Sequence, residues 1–406
     1  MKAILPKIKF KNFYEKWNRK KLQSIAPLRG GFAFKSEKFQ DSGIPIVRIS
    51  NIKFDGTVGG EFEYYSKINL DEKFVLRGRS ILLAMSGATT GKIAMLDSEE
   101  EYYQNQRVGY FQNTGAVDYD FLSSVLQTKE FTNQLNSVLV AGAQPNISSK
   151  EIDSFVFCIP ESLDEQSAIG SLFRTLDHLL ASYKDNLANY QSLKETMLSK
   201  MFPKAGQTVP EIRLDGFEGE WEEKCIGELA NIVRGASPRP IQDPKWFNSN
   251  SEIGWLRISD VTNQNGRIYS LEQKISKLGQ EKTRVLTEPH LLLSIAATVG
   301  KPVINYVKTG VHDGFLIFMD PKFDREFMFQ WLEMFREKWN RYGQPGSQLN
   351  LNSDIVRNQK ILIPSMEEQR AIGTYFANLD NLINSHQKKI SQLETLKKKL
   401  LQDMFI

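Results

Sequence analysis

Apolar side chains recur at alternating steps of four and three over Ile169, Phe173, Leu176, Leu180, Tyr183, Leu187 and Tyr190. The same steps return at Ile372, Phe376, Leu379, Ile383, His386, Ile390 and Leu393. A 3.5-residue spacing is the signature of a helix with one apolar seam. It predicts two proline-free helices, over 163–202 and 366–405. At 1.5 Å per residue, some 35 helical residues span about 50 Å. Two such seams in one chain most simply bury each other, Ile169, Phe173, Leu176 and Leu180 on one side and Ile372, Phe376, Leu379 and Ile383 on the other.

The helices are copies. Shifted by 203 residues, Gln166, Ala168, Ile169, Gly170 and Phe173 fall on Gln369, Ala371, Ile372, Gly373 and Phe376. Asp177, Lys194, Met201 and Phe202 fall on Asp380, Lys397, Met404 and Phe405. The repeat extends beyond them. Pro6, Ile8, Phe13, Trp17 and Ala26 match Pro210, Ile212, Phe217, Trp221 and Ala230 at an offset of 204. PKAGQTVP, residues 203–210, reads as the linker that ends the first helix.

Between the helices lie runs of strand character. Ile46–Ser50 matches Trp255–Ser259, each with an arginine at the same place, and Ile81–Met85 matches Leu291–Ile295. Further strands are predicted at Val108–Phe111, Phe315–Met319, Phe155–Ile159 and Ile361–Ile363, and helices at Tyr119–Leu126 and Phe327–Phe335. The fold class is therefore α+β, a (mixed segment, long helix) unit stated twice. The expected divisions are 1–162, the long helix 163–205, then 206–365 and the long helix 366–406. A segment of about 160 residues is large enough for its own core.

Of 406 residues, 41% are hydrophobic and 25% charged, as in a globular protein. No apolar run reaches the 18 or so residues of a membrane span, and the opening MKAILPKIKF is too short in apolar length for a signal peptide. Cys158 and Cys225 make neither a disulfide framework nor a zinc cluster and are expected as core thiols in a reducing cytoplasm. A net charge of +4 is compatible with nucleic acid.

No catalytic constellation emerges. Gly87–Ile93 resembles a phosphate loop but is one residue short of GxxxxGK[ST], and Ile93 stands where a magnesium-binding hydroxyl is needed. No Asn-Pro-Pro-Tyr-type tetrapeptide that would hold a flipped adenine occurs, and no glycine-rich cofactor loop follows a strand. His178, His290, His312 and His386 have no metal or triad spacing. What remains suits DNA edges and phosphates. Arg48 and Arg257 could grip guanine bidentately, and amides could contact adenine. The candidates are Arg48, Lys53, Lys92, Gln104, Asn105, Arg107 and Asn146 in the first half. In the second they are Arg257, Asn263, Gln264, Lys301, His312, Gln344, Gln348 and Asn350. Each also has an ordinary reading as a loop or surface residue.

The pattern resembles the specificity (S) subunit of type I restriction–modification systems, over essentially the whole chain. The resemblance rests on the P-x-x-x-[DE]-E-Q-x-A-I-G entries at Pro160–Gly170 and, one residue shorter, Pro364–Gly373. It rests also on the openings LPKIKFKNFYEKW and VPEIRLDGFEGEW, and on the turn at Gly87–Lys92, from which the second half departs at Ala296. The resemblance implies two target-recognition domains, each reading half of a split, asymmetric site in double-stranded DNA. Two antiparallel coiled-coil helices on a pseudo-twofold frame would act as the ruler between them. It implies no catalysis and no cofactor in this chain. S-adenosylmethionine, ATP and magnesium would sit on two methylation (M) subunits and on restriction (R) subunits. The rival reading is a fused or degenerate nucleic-acid methyltransferase or phosphate-loop enzyme.

Overall fold

The computed structural model describes residues 6–68, 72–139, 146–295, 298–342 and 351–405. The chain forms two compact units. One is Met1–Lys184 with Lys388–Ile406, the other Asp185–Gln387. The long helices, Leu163–Lys200 and Met366–Asp403, each contribute to both units.

The first unit contains β1 (Trp17–Lys21), β2 (Leu28–Gly30), β3 (Ile44–Val47), β4 (Glu63–Tyr65), β5 (Val75–Ala84), β6 (Ile93–Gln104), β7 (Val108–Phe111) and β8 (Val156–Pro160). Helices at Tyr119–Val125 and Lys129–Leu139 lie between β7 and β8. One sheet has the order β2-β7-β5-β6-β3-β4, and β1 pairs antiparallel with β8. The second unit contains β9 (Glu222–Cys225), β10 (Asn231–Arg234), β11 (Gly254–Leu256), β12 (Arg267–Ile268), β13 (Arg284–Leu286), β14 (Leu291–Ser294), β15 (Pro302–Asn305), β16 (Thr309–Val311), β17 (Phe315–Met319) and β18 (Lys360–Ile363). Its helix at Arg325–Phe335 takes the place of Tyr119–Val125. Its sheets run β10-β17-β14-β15-β12 and β11-β16-β13, with β18 against β9.

The unbroken apolar runs of β5 and β14 follow from burial on both faces, since successive side chains of a strand point to opposite sides. Ile81 and Leu83 join the core around Trp17 and Phe121, whereas Leu82 and Ala84 join Val47, Ile52 and Val108. Leu291 and Leu293 join the core around Trp221 and Phe327, whereas Leu292 joins Leu256 and Val311.

Two expectations need correction. Arg48 and Arg257 do not continue their strands. Each stands just before a helical turn, Ile49–Asn51 and Ile258–Asn263 respectively. Asn51 and Asp260 draw the chain out of the ladder by accepting a hydrogen bond from the arginine's backbone N–H, at 2.9 Å in both cases. Cys158 and Cys225 are free but only half-buried.

The apolar seams also have more than one partner. Ile169, Phe173 and Leu176 enter the first unit's core, and Ile372 and Phe376 the second's. Leu180, Leu379 and Ile383 are buried beside them. Each core is closed by the far end of the other helix. Phe405 packs on Trp17, Phe121 and Phe173 with ring centroids 6.1, 5.6 and 5.7 Å away. Phe202 packs on Trp221, Phe327 and Phe376 at 6.1, 5.3 and 6.3 Å. In the first unit residue 173 meets 405 and 184 meets 394. In the second, 190 meets 386 and 202 meets 376. Within each unit the two helix segments therefore run antiparallel.

Candidate nucleic-acid interface

The repeated helix entry docks its unit on its helix. Gln166 donates to the Pro160 carbonyl at 2.8 Å and accepts from the Asp118 N–H at 2.8 Å. Gln369 does the same with Pro364 and Asp324, at 2.8 and 2.9 Å. Asp118 and Asp324 cap the helices that begin at Tyr119 and Arg325. Gly170 and Gly373 let those helix starts come close. A Cβ on Gly170 would lie 2.5 Å from the Phe121 nitrogen, and one on Gly373 2.9 Å from that of Phe327. The E-Q-x-A-I-G signature is thus a clamp between each unit and its helix.

In the first unit, backbone hydrogen bonds gather several loops at one edge. Asn105 N–H donates to the Val47 carbonyl, Met85 N–H to that of Arg107, and Ile147 N–H to that of Met85. The Thr89 hydroxyl donates to the Ile49 carbonyl at 3.2 Å. Arg48, Lys92, Asn105, Arg107 and Asn146 therefore share this edge, and Lys53 joins it through the hairpin that follows Asn51. Arg107, Asn146 and Lys53 are exposed. Arg48 pairs with Glu63 at 3.3 Å, and the Asn105 side-chain Oδ1 accepts from the Arg107 N–H.

Gln104 has a different role from the one its sequence suggests. It is fully buried, donates to the carbonyls of Arg29 and Val108 at 2.9 and 2.7 Å, and accepts from the Arg29 guanidinium. With its amide consumed internally, it does not reach a base.

In the second unit Leu256 pairs with Val311, which brings Arg257 beside His312. Arg257 is bidentate on Asp260 at 3.1 and 2.9 Å, and that carboxylate holds the guanidinium further above its ordinary pKa. His312 lies against Trp255 and Phe315, and its Nδ1 accepts from the Gly314 N–H at 2.8 Å. Burial pushes its pKa below the usual histidine value, so it is neutral near pH 7. Gln264 is spent on the backbone of Tyr269 and Ser270, and Lys301 on Asn265 and Glu333. These two are structural, because their polar atoms are already satisfied within the fold. Asn263 is exposed. Gln344, Gln348 and Asn350 lie outside the described residues.

The sequence reading missed three arginines at this edge. Arg239 pairs with Asp313 at 2.8 Å, Arg234 donates to the Asp313 carbonyl at 2.6 Å, and Arg284 donates to the Arg234 carbonyl at 2.8 Å. Burial pushes the Asp313 carboxyl up, but the Ser237 hydroxyl and Arg239 outweigh it and hold it below the ordinary range. Arg239 alone pairs with the Asp313 carboxylate, while Arg234 and Arg284 bond to backbone carbonyls, so this edge carries more positive than negative charge, as a phosphate-binding surface would need. The run RGASPRP at 234–240 was the available signal. Among the described residues no group of His, Cys, Asp and Glu could hold a metal, and no helix is long and apolar enough to cross a membrane.

Two mixed domains of like construction, each with an edge of polar loops, define a bipartite binding protein. The family model described as "Type I restriction modification DNA specificity domain" matches twice, over residues 14–189 and 218–395, and the chain belongs to that family. It is 22% identical over 345 residues to the Type I restriction enzyme MjaVIII specificity subunit of Methanocaldococcus jannaschii, covering 82% of this chain and 79% of the relative. It is 21% identical to the Type I restriction enzyme EcoBI specificity subunit of Escherichia coli, covering 97% and 86%. The S subunit of a type I restriction–modification system from M. genitalium shares its fold, with a TM-score of 0.67 over 99% of both chains at 15% identity.

Proposed function

We propose that the chain is the DNA-reading, non-catalytic subunit of a type I restriction–modification complex, with each unit reading one half of a bipartite, asymmetric site in double-stranded DNA. The helices 163–200 and 366–403 form an antiparallel coiled coil that relates the units by a pseudo-twofold and sets the spacing of the half-sites. Methylation subunits supply S-adenosylmethionine chemistry, and restriction subunits supply ATP- and magnesium-dependent cleavage. The cell compartment is the cytoplasm, where the DNA is.

One observation carries this reading. The two units repeat each other residue by residue where they meet the helices, at Gln166/Gln369, Gly170/Gly373 and Phe173/Phe376. They part company at their loop edges, where Asn105 and Arg107 stand in one and His312, Arg234 and Arg239 in the other. A shared mount with unlike readers calls for a non-palindromic target. Base-resolution methylation mapping in cells with and without the chain tests it. Loss of one bipartite adenine-methylation motif on deletion is expected. An unchanged methylome, or methyl transfer by the purified chain alone, would contradict it.

A further inference from the structure

Phe54 is 89% exposed, at the tip of a loop with no slack in it. Buried Asn51 accepts from the Arg48 N–H and donates to the carbonyls of Gly59 and Glu61 at 3.3 and 2.9 Å, pinning the loop at its base. Ile52 bridges to Val58, and Lys53 N–H donates to the Thr57 carbonyl at 3.0 Å. Asp55 accepts from both the N–H and the hydroxyl of Thr57, and Met95 N–H donates to the Gly56 carbonyl at 2.9 Å. Gly56 takes the positive φ, +83°, that this turn needs. A bulky aromatic at the tip of this hydrogen-bonded hairpin is thus left almost wholly in water. The Lys92 ammonium lies over the ring, and in sequence Phe54 is flanked by Lys53 and by Asp55, whose carboxylate is engaged by Thr57. An exposed apolar ring with two lysines beside it is complementary to duplex DNA, where a wedge parts stacked bases while cations hold the flanking phosphates.

We infer that Phe54 is a wedge that enters the DNA between base steps at the first unit's half-site. This rests on the DNA-reading function proposed above. In the second unit the helix Ile258–Asn263 replaces the hairpin, and the exposed aromatic that follows it, Tyr269, is stacked on Tyr306 at 4.7 Å. Distortion is therefore confined to one side of the target.

The test uses the full chain assembled with its methylation subunits and a duplex carrying the mapped site, with 2-aminopurine placed at successive positions. Wild type should raise the fluorescence at one step in the first unit's half-site. Phe54→Ala should abolish that rise and weaken binding about tenfold, with no change in salt dependence, since no phosphate contact is lost. Phe54→Met should keep most of both, and Lys92→Ala should lower the salt slope by about one. Equal affinity and an equal rise for Phe54→Ala would overturn the wedge. So would a Phe54→Ala chain that fails to assemble with the methylation subunits, which would make the ring a protein contact. A wild-type complex that binds no duplex would instead overturn the DNA-reading function beneath it.

Discussion

Asp177 and Asp380 hold the same position on the two long helices, and Lys397 and Lys194 the same position opposite them. In the first unit the Asp177–Lys397 pair is open to water on the acid side, with 39% of that side chain exposed, and Lys397 also reaches Gln127. In the second unit Asp380 is 8% exposed and takes Lys194 at 2.5 Å, Arg267 at 2.9 Å and Gln330 at 2.8 Å. Arg267 goes on to Glu326 and lies over Phe329. Burial pulls the Arg267 guanidinium down, but Glu326 and Asp380 more than reverse it. A second matched pair diverges in the same way. Glu165 accepts from the Trp17 indole N–H at 3.2 Å, whereas Glu368 is gripped bidentately by Arg213 at 2.8 Å. Duplication kept the register of the joint and let the forces across it drift. The first unit is held to its helices by apolar packing, the Gln166 hydrogen bonds and a half-exposed Arg174–Asp120 pair, the second by packing plus a more deeply buried charge network.

The plugs show this difference most strongly. Phe202 is 3% exposed and Phe405 only half-buried. Phe202→Ala should cost the second unit about 3–5 kcal/mol, and Phe405→Ala should cost the first unit less. Urea melts read by hydrogen exchange in each unit would check both, and equal losses would remove the contrast.

The aspartates come next. Asp380→Asn strands two cations in a desolvated place and should cost about 3–5 kcal/mol. Asp177→Asn acts on an exposed pair and should stay within about 1 kcal/mol. Equal costs in the same melts would show that the network is no stronger than its surface counterpart.

Acid titration sharpens the contrast with a smaller effect. Burial raises the Asp380 carboxyl, but Lys194 and Arg267 prevail and hold it below the ordinary value. Its contribution is complete above the unfolded value of about 4 and is lost as pH falls through the lower folded one. Burial raises Glu165 despite the Trp17 N–H. The folded first unit therefore prefers that acid protonated and gains from it as pH falls through the raised value. Between pH 6 and 3 the second unit should lose more stability than the first, and Asp380→Asn should flatten its slope. Parallel slopes would assign acid loss to other carboxylates.

The helices, the repeat register and most strands were legible because periodicity and self-similarity are properties of the chain alone. Val108–Phe111 and Phe315–Met319 have the expected bounds. The loop edge was legible in part. Arg107 and Asn146 are exposed, but amide composition could not reveal that Gln104 and Gln264 spend their hydrogen bonds inside the fold. Nor could it place Arg234, Arg239 and Arg284 together, because they come from segments as far apart as residues 234 and 284 and meet only through strand pairing and Asp313. Phe54 looked like any apolar residue in a loop until its surroundings were known.

The central claim is that one mount carries two independent readers. It is tested most directly by replacing residues 28–155 with those of another specificity subunit and mapping methylation at base resolution. The account predicts that one half-site changes to that of the donor while the other half-site and the spacing stay as they were. A change in both half-sites, or in neither, would contradict it.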